Sequence, residues 1–548
     1  MPTVDLSLKD LGNLLGKSIS ASQLEDLVLY AKGEVESVQG DKVKLDIKDT
    51  NRPDLWSAEG IAREINLRLG KSQKIKFRPS GHKLYIEKSV SDVRPLCYAA
   101  VIRDVTVTEE LLVQMINLQE KMNTTHGRRR RECGIGLYDF SRMTPPLYYR
   151  GCSPRELKFA PLGFREEMWL DQILDRHPKG VEFAHLLKGK SRYPIIVDSR
   201  GVVGAMPPII NSNTVGKVTR QTRDIFIEAT GFRHDIVMTE LLVSAWALAD
   251  RGGKVETLEV VFPGGKKITS PDFTLKKASL NLDYARKLIG LPLKEEEIYS
   301  LLEKSGYHVV SSGPTAQLEY PSYRQDIMHQ MDIVEDMAIS YGYNKIPPEA
   351  YRIPTIGGQS SLALLTNSVT DLLIGIGLQE IMSYTLTSRD SLLKKMLLPD
   401  RELAEIENPV SGNWSVFRSW LLPGLLEFLS RNKHVDYPQK VFEVGDCILP
   451  DQKAETRTRD SRMVGVALTD VSVNYQDISS LLDAFLASLG VRYALKKTIH
   501  PSFLPGRVAE IFVKNKSVGF IGELHPQVLN NWSLEKPVVA FELELKNI

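Results

Sequence analysis

A single hydrophobic core stops growing well short of 548 residues, so this chain must divide into roughly three or four domains. Each can be an ordinary folded unit: 42% of the residues are apolar and 25% charged, which excludes disorder as the default. Lysine and arginine total 70 against 68 aspartates and glutamates, a net charge of +2, so any basic surface for nucleic acid has to be local. Four cysteines, Cys97, Cys133, Cys152 and Cys447, lie far apart with no CxxC pair. That usage indicates neither a zinc site nor a disulfide framework and fits a reducing cytosol. The opening MPTVDLSLKDLGNLLG carries charges where a signal peptide needs an apolar run. No stretch approaches the roughly 20 apolar residues of a membrane span. The expected setting is cytoplasmic, with no membrane partner.

Hydrophobic periodicity divides the chain into four regions. The first, 1–82, holds a helix near 22–29, a strand at Lys42–Ile47 and the run NRPDLWSAEGIAREINLRLG. In that run Leu55, Ala58, Ile61, Ala62, Ile65 and Leu69 recur at helical spacing, with Pro53 in the first turn and Gly70 past the end. The second, 83–268, mixes a helix at 109–122 stopped near Gly127, two strands around a turn at 198–201, the corner Pro207-Pro208, the strand IFIEATG and a long helix through Ala249. The third, 269–348, places helices at 283–289 and 294–305 before the helical run MDIVEDMAISYGY. The fourth, 349–548, has helices at 363–375 and 421–431 followed by short strands. The fold class is multidomain α+β, with an antiparallel sheet flanked by helices at the end.

The sharpest chemical signal is the acidic group Asp326, Asp332, Glu335 and Asp336. The last three fall at i, i+3 and i+4, so one helical face carries three carboxylates, and Asp326 can reach the same end from the extended segment before it. A hard cation such as Mg²⁺ would turn their mutual repulsion into binding. Acids near a helix N-terminus are also favourable through the dipole alone. Spacing leaves both readings open.

Around these acids the run PSYRQDIMHQMDIVEDMAISYGYNKIP resembles the metal-binding domain of the phenylalanyl-tRNA synthetase beta subunit family. NRPDLWSAEGIAREI, MPPIINS, NPVSGNWSVFRSWLLPGLLEFLSRN, VFEVGD, HPSFLPGRVAEI and IGELHPQVL resemble further segments of its archaeal and eukaryotic branch, in collinear order over essentially the whole chain. The resemblance implies Mg²⁺ on Asp326, Asp332, Glu335 and Asp336, in a small helical or winged domain. It implies a class II synthetase-like final domain at 349–548 and an editing-type, tRNA-binding middle domain at 83–268. It also implies an alpha subunit as partner, in a heterotetramer of two alpha and two beta chains, with tRNA(Phe) as the nucleic acid and ATP consumed by the assembled enzyme.

An adenylation site must meet developing phosphate charge with preorganised cations. VFEVGD keeps a Glu but lacks the arginine expected of an Arg-x-Glu strand, and VVAFELELKNI ends without a glycine-arginine helix. The expectation is a synthetase-like fold retained for assembly, with activation carried out by the alpha subunit.

In the resembling family the middle domain hydrolyses misacylated Tyr-tRNA, a task made necessary because an apolar pocket rejects an added hydroxyl poorly. The pocket residues implied are Met206, Pro207, Pro208, Asn211, Ser212, Thr230, Gly231 and Asp235. No Ser/His/Asp or Cys/His grouping is evident, which favours a positioned water over a protein nucleophile. The branch pattern is Thr-small-Thr-Asp after the strand, whereas this chain reads Thr230, Gly231, Phe232, Arg233, with Asp235 then available to cap the next helix. Arg128, Arg129, Arg130 and Arg131 form the densest positive run, suited to tRNA phosphates or to a solvated loop. Two other classes remain: a stand-alone hydrolase of misacylated tRNA, which would need no partner, and a tRNA-binding scaffold without chemistry.

Overall fold

The computed structural model describes residues 3–71, 75–350 and 355–548. The chain forms two compact units, 1–349 and 350–548.

In the first unit a three-stranded sheet, Thr3–Ser7, Lys42–Ile47 and Gly33–Gln39 in that order, opens the chain. The helix Ala58–Arg68 starts from a Ser57 side chain that accepts the Gly60 N–H, a normal N-cap. Pro53 opens a separate short turn, Pro53–Leu55, instead of the helix itself, because the Ser57 cap fixes the start downstream.

The next sheet has ten strands, and the place of one inner strand, next to the edge, explains the burial pattern of IFIEATG. Ile225–Gly231 lies antiparallel between Leu96–Arg103 and Cys133–Asp139, and the long helix His234–Asp250 packs on it. Flanked on both edges and covered, every residue of the strand is buried, so it reads as a continuous run and not an alternation. Its covering helix is apolar nearly all round for the same reason. One core of buried side chains, from Val4 and Leu11 through Tyr98 to Leu248 and Val260, serves both the first and second regions. The division expected at 82/83 therefore cuts through the strand Phe77–Ile86.

A third, smaller sheet, Lys276–Asn281, Thr315–Tyr320 and His308–Ser311, carries the helices Leu282–Ile289, Glu295–Lys304 and Gln330–Tyr341 around its own core of Leu280, Ile298, Leu302 and Met337.

The second unit is a seven-stranded sheet in the order Gln379–Glu380, Gln439–Pro450, Thr458–Thr469, Val538–Glu544, Lys516–Leu524, Phe503–Val513, Tyr493–Lys497. All its pairs are antiparallel except the first. Side chains alternate between two cores. Ser361–Gly375 and Tyr475–Ser488 pack into one, Leu422–Arg431 into the other. The helix Tyr475–Ser488 was not anticipated from sequence. Among the described residues no helix is long and apolar enough to cross a membrane.

Candidate functional site

The acidic residues do not face one another across an open site. Asp336 is 1% exposed and accepts bonds from three side chains: Arg324 Nη2 at 2.8 Å, Arg68 Nη2 at 3.2 Å and Tyr307 Oη at 2.8 Å. Arg324 also grips both oxygens of Asp326, at 2.8 and 2.6 Å. Arg68 reaches on to Glu64 at 2.7 Å, and Arg52 joins Glu64 at 2.9 Å to Asp54 at 2.8 Å. Three arginines thus sit buried against four carboxylates, with Ser305 and Ser340 accepting further Arg68 donors. Burial opposes ionisation of Asp336, yet Arg324, Arg68 and Arg52 hold its carboxyl far below the usual carboxylate range. Asp332 faces the other way, accepting the backbone N–H groups of Met328 and His329 at 2.7 Å each. Glu335 lies at the surface on Lys32, 2.9 Å away.

Each acid is thus already neutralised or capping, and among the described residues no three His, Cys, Asp or Glu side chains are grouped to hold a metal. As this chain arranges them, the residues expected to take Mg²⁺ do not fit an intrachain magnesium site. The physical reason is that arginines occupy the space and the lone pairs a cation needs. Sequence spacing missed Arg52 and Arg68 because they come from a region more than 250 residues upstream of the helix they meet.

A separate cavity of about 430 Å³ opens in the middle domain. One side is the helix Glu109–Thr124, through Leu111, Met115, Gln119 and Asn123. The floor is Ile135, Leu137, Ile225 and Glu228 of the large sheet, and the far wall is Pro207, Pro208, Ile209 and Asn211. The Pro207-Pro208 bond is cis. Of the pocket residues named from sequence, Pro207, Pro208 and Asn211 line this cavity. Met206 lies behind the wall in a satellite core with Ile195 and Val197. Ser212 is buried, its hydroxyl accepting the Val215 N–H. Thr230 is buried and held by Arg94, whose Nε donates to its hydroxyl at 2.9 Å. Gly231, at the end of the same strand, lies against the backbone of Glu132. Asp235 is exposed, paired with Arg233 at 2.6 Å, and sits inside the first helical turn instead of capping it. The cavity leaves it out.

Glu228 is the residue the sequence reading passed over. It is 2% exposed and lines the cavity. Its Oε1 accepts the Tyr138 hydroxyl at 2.9 Å while Oε2 is buried without a partner. Burial pushes its carboxyl up to about 7, outweighing the Tyr138 bond and the charge of Arg94. The available signal was a charge inside an otherwise apolar strand, IFIEATG, since buried acids without a cation partner are rare. The arginine run splits. Arg128, Arg129 and Arg131 are exposed, but Arg130 is buried at the cavity rim, where its guanidinium lies 4.3 Å from the Phe183 ring. Arg130 is engaged within the protein and not offered to a phosphate: the Pro208 and Ile209 carbonyls and Glu120 hold its guanidinium against the cost of desolvation.

In the second unit Arg418 is buried and committed: Nη1 meets Glu443 Oε1 at 2.5 Å and Ser383 Oγ at 3.0 Å, and Nε donates to the Asp446 carbonyl at 2.9 Å. Glu542 accepts the Leu421 and Leu422 N–H groups at 2.8 and 3.0 Å, capping the helix Leu422–Arg431. Its carboxyl is pushed up to about 7 by burial.

Comparison with known proteins places this arrangement. The family model for the tRNA synthetase B5 domain matches residues 278–343, and that for the phenylalanyl tRNA synthetase beta chain CLM domain matches 346–545. These define the class: a subunit of an aminoacyl-tRNA ligase. The phenylalanine–tRNA ligase beta subunit of Pyrococcus horikoshii is 46% identical over 553 residues, covering 100% of this chain and 99% of the relative. That of Thermococcus kodakarensis is 45% identical over 567 residues, covering 100% and 98%. A crystal structure of an N-terminal fragment of the phenylalanyl-tRNA synthetase beta subunit from Pyrococcus horikoshii aligns at 48% identity and a TM-score of 0.61, covering 62% of this chain and all of the fragment. The chain belongs to the phenylalanine–tRNA ligase beta subunit family.

Proposed function

We propose that this chain joins a separate alpha subunit, in a heterotetramer of two alpha and two beta chains, to attach phenylalanine to tRNA(Phe) at the expense of ATP. The observation that carries the reading is the state of Arg418. The synthetase-like sheet keeps an arginine beside a glutamate, but the pair is buried and mutually satisfied, so it offers no cradle to a nucleotide triphosphate. Activation then falls to the partner. The helix Ser361–Gly375 supports a docking role: only Val369 and Leu373 are buried, while Leu362, Leu364 and Ile374 are exposed. A helix this apolar all round is normally covered on more than one side. No step is assigned to magnesium, because the acids of this chain are already engaged.

The cavity supports a second task within the same assembly, hydrolysis of tRNA esters carrying a hydroxylated analogue of phenylalanine. Its walls are apolar and its floor carries one acid that keeps its proton near neutrality, able to donate to a phenolic oxygen while water attacks the ester carbonyl. The test mixes the chain with an alpha subunit and follows both sedimentation and release of tyrosine from Tyr-tRNA(Phe). Co-sedimentation with tyrosine release supports the reading. Release by this chain alone, with no complex formed, favours the stand-alone hydrolase, and a complex without release favours the scaffold.

A further inference from the structure

A second buried charge cluster lies where the first region meets the middle domain, and its signs do not balance. Asp10 comes from the helix Leu8–Leu15, Glu59 and Arg63 from Ala58–Arg68, and Asp250 and Arg251 from the end of His234–Asp250 and the residue after it. Arg251 grips both oxygens of Asp10, at 2.5 and 2.7 Å, and its Nε donates to Glu59 Oε1 at 2.7 Å. Arg63 Nη1 donates to Asp250 Oδ2, with the Arg63 guanidinium 5.2 Å from the Trp246 ring and 4.8 Å from the Tyr323 ring. Asp54 also acts on Arg63, from the turn Pro53–Leu55, but is itself bonded to Arg52. Three carboxylates thus share two guanidiniums, and among the described residues no ion pair brings a further cation to any of the three. Glu59 Oε2 and Asp250 Oδ1 are buried without a partner among those residues.

The cluster around Arg68 also counts one more acid than arginine, but no buried oxygen of its acids lacks a partner among the described residues. Its carboxylates stay ionised, Glu64 lowered to about 2 by Arg52 and Arg68 in spite of burial. At the first-to-middle junction the surplus charge has nowhere to go. A buried charge without a partner is costly, and it is relieved by taking up a proton or by opening to water. Asp250 is the place for the proton, since it meets its arginine through one oxygen and leaves the other bare. Burial, with the charge of Glu59 added, pushes its carboxyl up from near 3.8 to about 6 against the pull of Arg63 and Arg251. We propose that this junction is a proton-operated clamp: while Asp250 carries its proton the long helix of the middle domain is locked to Ala58–Arg68, and loss of the proton loosens that lock. The contribution of a carboxyl raised in this way is complete below about 3.8 and fades as the pH rises through about 6. Arg68 ties the same helix Ala58–Arg68 to Asp336 of the third region, so the loosening falls on the middle-domain side. The clamp stands independently of the hydrolytic reading of the cavity.

The test follows backbone amide exchange by mass spectrometry in the assembled enzyme between about pH 5 and about pH 7.5, with each rate corrected for the intrinsic pH dependence of exchange. The unaltered chain is compared with Asp250→Asn and Glu59→Gln. In peptides covering the last turns of His234–Asp250 and the first turns of Ala58–Arg68, exchange of the unaltered chain should rise about tenfold over this range. That ratio follows from proton affinities near 3.8 in the opened junction and about 6 in the closed one. Asp250→Asn removes the ionisation and should hold the change within about twofold. Glu59→Gln leaves Asp250 in place but takes away the charge that helps to lift it, so the rise should shrink there too. A variant that is merely destabilised exchanges faster at every pH and keeps the slope. A slope retained in Asp250→Asn therefore overturns the proposal, as does a flat profile in the unaltered chain. An equal rise in the helix Glu295–Lys304 of the third region would mean general loosening and would overturn it as well.

Discussion

Glu228 keeps its proton because its carboxyl is buried at the floor of an apolar cavity with no cation paired to it among the described residues, and that has a consequence for stability. Its carboxyl titrates near 4.5 in the unfolded chain and near 7 in the fold. Between these values the folded state binds a proton that the unfolded state has lost, so stability is full below about 4.5 and declines as the pH rises toward about 7. Glu542 contributes in the same sense for the same reason, burial. Glu228→Gln keeps the shape and removes the ionisation. It should flatten its share of this decline, on the order of 3 kcal/mol or less, in urea unfolding followed from pH 4.5 to 7.5. An unchanged pH profile would mean the carboxyl is charged in the fold. Asp336 lies at the opposite electrostatic extreme, ionised and ringed by Arg68, Arg324 and Tyr307. Asp336→Ala strands two buried guanidinium groups and should cost about 3–5 kcal/mol in the unfolding of the first unit. Since arginines already supply the countercharge, adding a chelator should leave the unfolding midpoint of the unaltered chain where it was. A fall on chelation would reveal a bound divalent ion on these acids.

Elements with a strong local signal were legible in the sequence, and sites assembled from distant elements were not. The strands Lys42–Ile47 and Ile225–Gly231 and the helix Gln330–Tyr341 follow from periodicity and caps that lie within a few residues of each other. The helix Tyr475–Ser488 was passed over although Asn474 and Asp477 form a capping box at its start. Three carboxylates at helical spacing, with Asp326 just ahead of them, read naturally as a metal site, because nothing local shows that Arg52 and Arg68 arrive from the first region. One wall of the cavity was legible in MPPIINS, since paired prolines mark a rigid corner. Glu228 and Arg130 were hidden behind their neighbours' patterns, an apolar strand and a charge run. The helix Ser361–Gly375 carries its prediction at this scale. Leu364, 55% exposed, and Ile374, 51% exposed, contribute little to the unit that bears them. Leu364→Lys with Ile374→Lys should leave its unfolding within about 0.5 kcal/mol of the original. The same pair should abolish co-sedimentation with the alpha subunit, and a complex that persists would move the docking surface elsewhere.

At the scale of the whole molecule, the buried arginines Arg52, Arg68, Arg324 and Arg418 are committed to carboxylates of the protein itself. Arg52, Arg68 and Arg324 engage Asp54, Glu64, Asp326 and Asp336 in the first unit, and Arg418 engages Glu443 in the second. That distribution is consistent with a near-neutral chain, +2 overall, that leaves the phosphate chemistry of activation to a partner. Phenylalanine-dependent exchange of pyrophosphate into ATP reads this directly. The chain alone should give no exchange above background, and the mixture with an alpha subunit should give robust exchange. Exchange by the chain alone would contradict the account, since it would require a working nucleotide site within the chain.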